Sequence, residues 1–199
     1  METTHKTREQ WLTTAVEILD AEVFAPHLPK SDDTGESNVP FRVSCGWPGG
    51  PGKKKGVLGQ CWNPKSSADG TTEMFITPTE KGEISVLDTL VHENVHRHVG
   101  TECGHKGEFR RLALAVGLTG KMTSTEAGPE LREKLVDLAE RLGYYPHDRL
   151  DTSTKKKQTT RMIKLTCSEC DNIARQSRMA YLTYGLICGQ CETKMLEDV

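Results

Sequence analysis

The sequence of 199 residues lacks a long apolar run, and no stretch approaches the roughly 20 apolar residues that span a bilayer. Its first residues, METTHKTREQWLTTAVEILDAE, lack the apolar core of a signal peptide. The chain also lacks a strong net charge, since 26 Lys and Arg residues face 28 Asp and Glu residues, a balance of −2. No global charge therefore argues for nucleic acid or membrane as a partner. We expect a cytoplasmic protein with no membrane partner.

The seven cysteines are an odd number, which argues against a disulfide framework in an intracellular chain. Four of them form two pairs, Cys167-x-x-Cys170 and Cys188-x-x-Cys191. Each pair offers two thiolates at a spacing that suits tetrahedral zinc, so the sequence predicts one structural zinc ion held by all four. A redox dithiol is the alternative, but one closed metal site explains two matched pairs better. The remaining three are expected to pack as small apolar residues: Cys45, Cys61 and Cys103.

The polar stretch 151–160, DTSTKKKQTT, has no large apolar residue and predicts a linker between two domains. Residues 1–150 are expected to form the main domain, with an N-terminal helix and loop over 1–38. Residues 161–199 are too few for a stable core of their own, so a structural metal is expected there as a zinc ribbon.

Hydrophobic periodicity predicts an α+β main domain, in which helices pack on a small mixed sheet. Helices are predicted over residues 7–24, 85–99, 108–116 and 127–143. Strands are predicted over residues 41–47, 57–62 and 73–77, and over 161–166 in the ribbon. Ser85 and Asp88 are predicted to form a capping box at the start of the second helix.

The second predicted helix carries His92-Glu93-Asn94-Val95-His96, a His-Glu-x-x-His pattern. Residues four apart share a helix face, so His92 and His96 can present two imidazoles to one metal ion. Glu93 lies beside them and can reach a metal-bound water. The pattern also arises by chance, with both histidines as surface residues. An amphipathic helix that follows a small sheet favours the metal site.

A catalytic zinc ion takes three protein ligands and keeps one position for water. His105 is the favoured third ligand, because it follows a glycine-rich turn and immediately precedes the next predicted helix. Cys103 is the alternative, since a thiolate also binds zinc. His98 lies about 200° around the helix from His96 and is expected to be an ordinary polar residue at the helix end.

Several further residues are candidates by type alone. Tyr144, Tyr145 and His147 could stabilise an oxyanion. The basic run 53–55 could touch a phosphate backbone or form a solvated loop tip. Four side chains of the predicted ribbon have two possible roles. They could bind nucleic acid through charge and stacking, or they could form a solvated face and a small core: Arg175, Arg178, Tyr181 and Tyr184.

The ordered set of motifs resembles the SprT-like zinc metallopeptidase family. The set begins with His92-Glu93-x-x-His96 and continues with Gly104-His105 and Phe109-Arg110-Arg111-Leu112-Ala113. The segments Gly59-Gln60-Cys61-Trp62, Phe75-Ile76 and Gly117-Leu118-x-Gly120-Lys121-Met122 are similar to phage and actinobacterial members, which also end in a Cys-x-x-Cys zinc ribbon. The similarity covers about residues 40 to 191.

The resemblance implies a compact α+β domain with an open site, in which His92, His96 and His105 bind a catalytic Zn²⁺ and Glu93 is the catalytic residue. With the ribbon, we expect one catalytic and one structural zinc ion. Relatives of the Spartan type cleave proteins crosslinked to DNA. We therefore expect a zinc endopeptidase acting on DNA-associated or DNA-crosslinked proteins in a bacterial or phage-infected cell, with DNA as a candidate partner. The alternative is a non-catalytic nucleic-acid-binding or transcription-associated adaptor that retains the fold.

Overall fold

A computed structural model describes residues 5–29, 39–47, 56–154 and 162–198 of the chain. The chain divides into two compact units, Met1–Asp151 and Thr152–Val199. The predicted basic run at 53–55, the loop at 31–38 and most of the predicted linker lie outside the described residues. Among the residues described, no helix is long and apolar enough to cross a membrane.

The N-terminal unit is a mixed α+β structure, as the sequence predicts. Its described helices are α1 (Arg8–Leu19), α2 (Glu83–Val99), α3 (Glu108–Ala115) and α4 (Pro129–Leu142). Its described strands are β1 (Phe41–Cys45), β2 (Gly59–Trp62), β3 (Thr72–Ile76), β4 (Leu118–Lys121) and β5 (Ser124–Ala127).

The first helix begins as predicted but ends earlier. The Thr7 hydroxyl accepts a hydrogen bond from the Gln10 backbone N–H and caps the N-terminus of α1. The chain then widens into a π-helical turn, Asp20–Phe24. The widening starts at Asp20, whose carboxylate accepts hydrogen bonds from Asn94 and Arg97 of α2. The end of α1 thus coincides with contacts to α2. The hydrophobic periodicity of the α1 sequence carries no information about such contacts.

A three-stranded sheet in the order β1-β3-β2 supports the second helix. Strand β1 pairs in parallel with β3, and β2 pairs antiparallel with β3 and forms an edge. Helix α2 packs against β2 and β3 on one side and against α3 and α4 on others. Its apolar stripe is completely buried in this core: Val86, Leu87, Leu90, Val91 and Val95. Helix α2, which carries the His-Glu-x-x-His pattern, is therefore fixed by contacts with both strands and helices.

The predicted capping box at Ser85 is wrong. Helix α2 begins at Glu83, with Gly82 as its N-cap residue and no side-chain cap. Because the helix starts two residues earlier than predicted, Ser85 lies inside its first turn. The Ser85 hydroxyl instead donates a 2.6 Å hydrogen bond to the Glu80 carboxylate.

Strands β4 and β5 form an antiparallel hairpin that the sequence analysis missed. Each strand has only four residues, and the exposed side chains of β4 show no apolar alternation. The hairpin gains its stability from tertiary packing, since β5 contacts both α2 and α4. Strand β5 and the turn that precedes it line the cleft described below.

The C-terminal unit contains a second small sheet in the order β7-β6-β8 and a short helix. These elements are β6 (Met162–Thr166), β7 (Ile173–Ser177), α5 (Arg178–Tyr184) and β8 (Leu196–Glu197). Its buried apolar side chains are few: Ile163, Leu165 and Met195 join two buried cysteines. Such a core is too small to hold a fold by apolar burial alone.

Candidate metal centres

Three imidazoles converge above α2. His92 and His96 lie one turn apart on the helix, with ring centroids 5.4 Å apart. His105 reaches them from the loop between α2 and α3, and its Nε2 lies 3.2 Å from the Nε2 atoms of both His92 and His96. We call these three residues the histidine trio. The structure thus brings together the three side chains that the sequence singled out.

Local backbone geometry explains how His105 enters the trio. Gly104 and Gly107 flank it with φ values of 53° and 50°, a left-handed conformation that glycine adopts without steric cost. The chain can therefore turn back after α2 and start α3 at once. Phe109 of α3 then packs against all three imidazoles, with centroid distances of 5.0, 4.3 and 4.9 Å. The sequence analysis named Phe109 as part of the family motif and did not predict its contact with the imidazoles.

The trio fits a zinc ion in spacing and in protonation. Zinc–nitrogen bonds of about 2.0–2.1 Å in a tetrahedral arrangement place ligand nitrogens roughly 3.3–3.4 Å apart, close to the 3.2 Å that separates His105 Nε2 from the Nε2 atoms of His92 and His96. Burial, together with the neighbouring imidazoles, lowers the pKa of His92 to about 4 and that of His96 to about 3. Both rings are therefore neutral at pH 7, which is the form that binds metals.

Glu93 is buried beside the trio and is only 6% exposed. Burial raises the pKa of its carboxyl to about 8. Burial is the only cause of this shift, so no hydrogen bond from a described residue offsets it. A carboxyl held in this way can accept and return a proton near neutral pH.

A cleft of about 820 Å³ contains the trio and Glu93. The edge strand β2, helix α2, and strand β5 with the turn that precedes it all line this cleft. Cys61 also lines the cleft, but burial and the nearby Glu93 raise the pKa of its thiol to about 12. The thiol is therefore protonated, in keeping with its expected role as a small packing residue.

Cys103, the alternative third ligand, and His98, which was not expected to bind metal, both lie outside the trio. The Cys103 sulfur points to the carbonyl oxygens of Gly100 and Gly104, each 3.7 Å away, and is not part of the metal-binding group. His98 is in the last turn of α2 and outside the trio, as expected, but the sequence did not predict its burial. Its side chain is 1% exposed, and its Nε2 lies 2.9 Å from Asp20 Oδ1.

The three candidates for oxyanion stabilisation do not line the cleft either. Tyr145 is 2% exposed and packs against Trp11 with a centroid distance of 4.9 Å. The His147 Nε2 atom lies 2.9 Å from the Pro78 carbonyl oxygen. Tyr144 is 47% exposed. Residue type alone suggested these side chains, and none of the three lines the cleft that contains Glu93.

Four thiols converge in the C-terminal unit: those of Cys167, Cys170, Cys188 and Cys191. The ligand atoms of this group lie within 4.8 Å of one another, and the Cys170 and Cys188 sulfurs are 3.7 Å apart. Zinc–sulfur bonds of about 2.3 Å in a tetrahedron place sulfurs roughly 3.8 Å apart, so the group fits a zinc ion. The cysteines are free of disulfide bonds.

The two Cys-x-x-Cys turns share one backbone design. The fourth residue after each leading cysteine donates its backbone N–H to the carbonyl of that cysteine: Asp171 to Cys167 at 3.1 Å, and Glu192 to Cys188 at 2.9 Å. Both donors have φ of 55°, which is uncommon for residues other than glycine. Backbone N–H groups directed at the Cys188 sulfur lower the pKa of its thiol to about 6. Backbone N–H groups likewise lower the pKa of the Cys167 thiol, so each turn favours a thiolate, the metal-binding form, at its first cysteine.

Comparison of the chain with models of protein families, with curated proteins and with solved structures finds no match. The SprT-like family therefore stays a prediction from the motif residues quoted above, and the function has to be argued from the two candidate centres.

Proposed function

We propose that the N-terminal unit is a zinc-dependent endopeptidase of the SprT-like type. One observation carries the proposal: His105 Nε2 lies 3.2 Å from the Nε2 atoms of both His92 and His96, in a cleft that also holds the buried Glu93 carboxyl, whose pKa is raised by burial alone. His92, His96 and His105 would hold the ion. A bound zinc ion supplies Lewis acidity, which polarises a peptide carbonyl and lowers the pKa of a bound water.

Glu93 performs the proton transfers in this proposal. Its carboxylate accepts a proton from the attacking water, and the resulting carboxylic acid returns it to the leaving amine. The raised pKa, about 8, makes the acid and base forms close in free energy near neutral pH. Phe109 packs against the three imidazoles and keeps their orientation fixed.

The four cysteines of the C-terminal unit would hold a structural zinc ion and so make this unit a zinc ribbon. Metal binding would then supply the folding free energy that its small apolar core does not. With the trio, this gives about two zinc ions per chain.

A protein substrate bound to DNA is proposed from the resemblance, and the ribbon gives it limited support. Arg178 forms an ion pair with Glu197, which offsets its charge. The Tyr181 hydroxyl donates to the Met195 carbonyl, so this ring belongs to the small core. Tyr184, which is 84% exposed, and Arg175 are the better candidates for contacts with nucleic acid.

The second candidate function is a non-catalytic adaptor that binds nucleic acid or the transcription machinery. Exposed apolar side chains on α5 favour a binding role for the ribbon, since Met179 is 71% exposed and Leu182 is 70% exposed. The buried Glu93 argues against it, because a purely structural metal site needs no isolated carboxyl. Burying such a group costs free energy that selection for stability alone would remove.

The Glu93→Gln variant separates the two functions. Cleavage of an unfolded protein and of a DNA-crosslinked protein is measured with and without added DNA, and zinc is counted by mass spectrometry. We expect kcat/KM to fall at least about 10²-fold while the zinc content stays unchanged. Glu133→Gln, on the exposed face of α4, is the matched control and should cleave like the wild type.

Undiminished cleavage by Glu93→Gln would overturn the peptidase assignment. Salt-dependent DNA binding that survives this substitution, with no cleavage by the wild type, would establish the adaptor.

A further inference from the structure

The His92 Nδ1 atom, which does not face the other two histidines, contacts the β4–β5 hairpin. Thr125 Oγ1 of β5 lies 2.8 Å from His92 Nδ1. We propose that Thr125 is a positioning residue for the metal site: its hydroxyl accepts the Nδ1–H of His92 and so holds the Nε2 lone pair toward His96 and His105. The inference rests on the proposed function in one respect, namely that the trio binds a metal ion.

The direction of this hydrogen bond follows from the trio itself. A metal ligand must present an unprotonated nitrogen, and in His92 the nitrogen that faces His105 is Nε2. A neutral imidazole has one proton, which is then on Nδ1. A hydroxyl oxygen 2.8 Å away accepts it. The contact therefore selects one of two tautomers and fixes the plane of the ring.

The other helix histidine is held differently. His96 Nδ1 is buried, and no hydrogen-bond partner for it is found among the described residues. Its ring is fixed by packing, with Phe109 4.3 Å away between centroids. His92 lies farther from Phe109, at 5.0 Å. A hydrogen bond to Thr125 thus orients the His92 ring, whereas packing orients the His96 ring.

The register of the hairpin explains why Thr125 occupies this place. Along β5, Thr125 and Ala127 are half-buried, whereas Ser124 and Glu126 are exposed. The Ala127 backbone N–H faces the carboxyl of Asp88, one helical turn before His92, and acts to lower the pKa of that carboxyl, although burial raises it overall. Four helical residues span about 6.0 Å and two strand residues about 6.8 Å, so both contacts form together. A slip of one residue would replace the threonine with Ser124 or Glu126.

The experiment compares Thr125→Val with Thr125→Ser in the full chain. Valine keeps the shape and the β-branch but has no acceptor, while serine keeps the hydroxyl. Thr119→Val is the matched control, because the Thr119 hydroxyl donates within the same hairpin, to the Glu126 carbonyl at 3.1 Å. The zinc affinity of the trio is measured by chelator competition, with His105→Ala defining the contribution of the cysteine group.

We expect Thr125→Val to weaken zinc binding by the trio about 10–100-fold, the usual effect of removing such an outer partner. Thr125→Ser and Thr119→Val should bind zinc close to the wild-type affinity. Wild-type affinity in Thr125→Val would overturn the proposal. Equal weakening in Thr119→Val would also overturn it, because the cause would then be hairpin stability.

A second measurement needs no variant. Long-range ¹H–¹⁵N NMR of the zinc-loaded wild type reports which nitrogen of His92 carries the proton. We expect a proton on Nδ1, and a proton on Nε2 would overturn the proposal. Equal zinc content in wild type and His105→Ala would instead refute the metal site itself. Cleavage that survives Glu93→Gln would refute the peptidase function and leave the role of Thr125 intact.

Discussion

Gly59 leaves the space that the Glu93 side chain occupies. A Cβ atom at position 59 would lie 2.5 Å from Glu93 Oε1 and 2.8 Å from the methyl carbon of Thr89. Gly59 is the first residue of the edge strand β2, which lines the cleft. The absence of a side chain here, and not an unusual backbone angle, is therefore what this position requires.

The Gly59→Ala variant tests this relationship. The added methyl forces either the Glu93 side chain or strand β2 to move, and overpacking of this kind costs typically about 1–3 kcal/mol of stability. We expect a lower free energy of unfolding in urea and a loss of cleavage, since the base is displaced. Gly46→Ala is the control, because a Cβ there meets nothing within 4 Å. Equal stability of the two variants would contradict the argument.

The Glu93 carboxyl also predicts a pH dependence in the metal-free protein. Its pKa is about 8 when folded, against an ordinary value of 4.5. Between these values the folded state binds a proton that the unfolded state has lost, so the free energy of unfolding falls as pH rises. Glu93→Gln has no such proton. We expect the stability of the variant relative to wild type to increase with pH, by up to about 1.4 kcal/mol per pH unit.

Tryptophan fluorescence measures this difference in the right unit, because the chain has three tryptophans and all of them, Trp11, Trp47 and Trp62, precede residue 152. Urea unfolding of wild type and Glu93→Gln is compared across the range from about pH 5 to about pH 8. A stability difference that stays constant over this range would show that the carboxyl does not keep its proton in the folded state.

Removal of metal from the cysteine group is expected to unfold the C-terminal unit. Its apolar core is small, and without the metal ion the four converging thiols have nothing that links them. Cys188→Ser should therefore lower the zinc content by about one ion per chain and abolish the dispersed NMR signals of residues 162–198. Cys45→Ser, a substitution outside both groups, should retain the wild-type zinc content. Retained signals in the zinc-free C-terminal unit would contradict this expectation.

The Asp20 carboxylate joins the π-helical turn after α1 to helix α2 through a buried ion pair. Its Oδ2 atom lies 2.7 Å from Arg97, whose side chain is only 1% exposed. Asp20→Asn leaves that cation buried without its counter-charge, at an expected cost of about 3–5 kcal/mol. Glu22→Gln, which breaks the exposed pair between Glu22 and Arg141, should cost less than about 1 kcal/mol. Comparable losses in chemical denaturation would show that burial of the pair is unimportant.

Much of the fold was predictable because periodicity reports burial directly. The helices around Leu90, Phe109 and Leu135 have strong apolar faces, and the structure confirms them. The π-helical turn at Asp20 and the β4–β5 hairpin were missed, since partners far along the chain stabilise both. The prediction of a capping box was wrong because the spacing of Ser85 and Asp88 matches the capping pattern, but this pattern does not determine the residue at which the helix begins.

The amino-acid sequence by itself determined the chemistry that is available: imidazoles one helical turn apart with a carboxyl beside them, and two matched pairs of thiols. These follow from short-range spacing, which the helix and the tight turn convert into a fixed separation. Only the tertiary structure decided the surroundings of that chemistry. It placed Thr125 on His92, buried His98 against Asp20 and kept Tyr145 out of the cleft. These contacts join residues distant in the chain, so only the packing of the whole unit sets them.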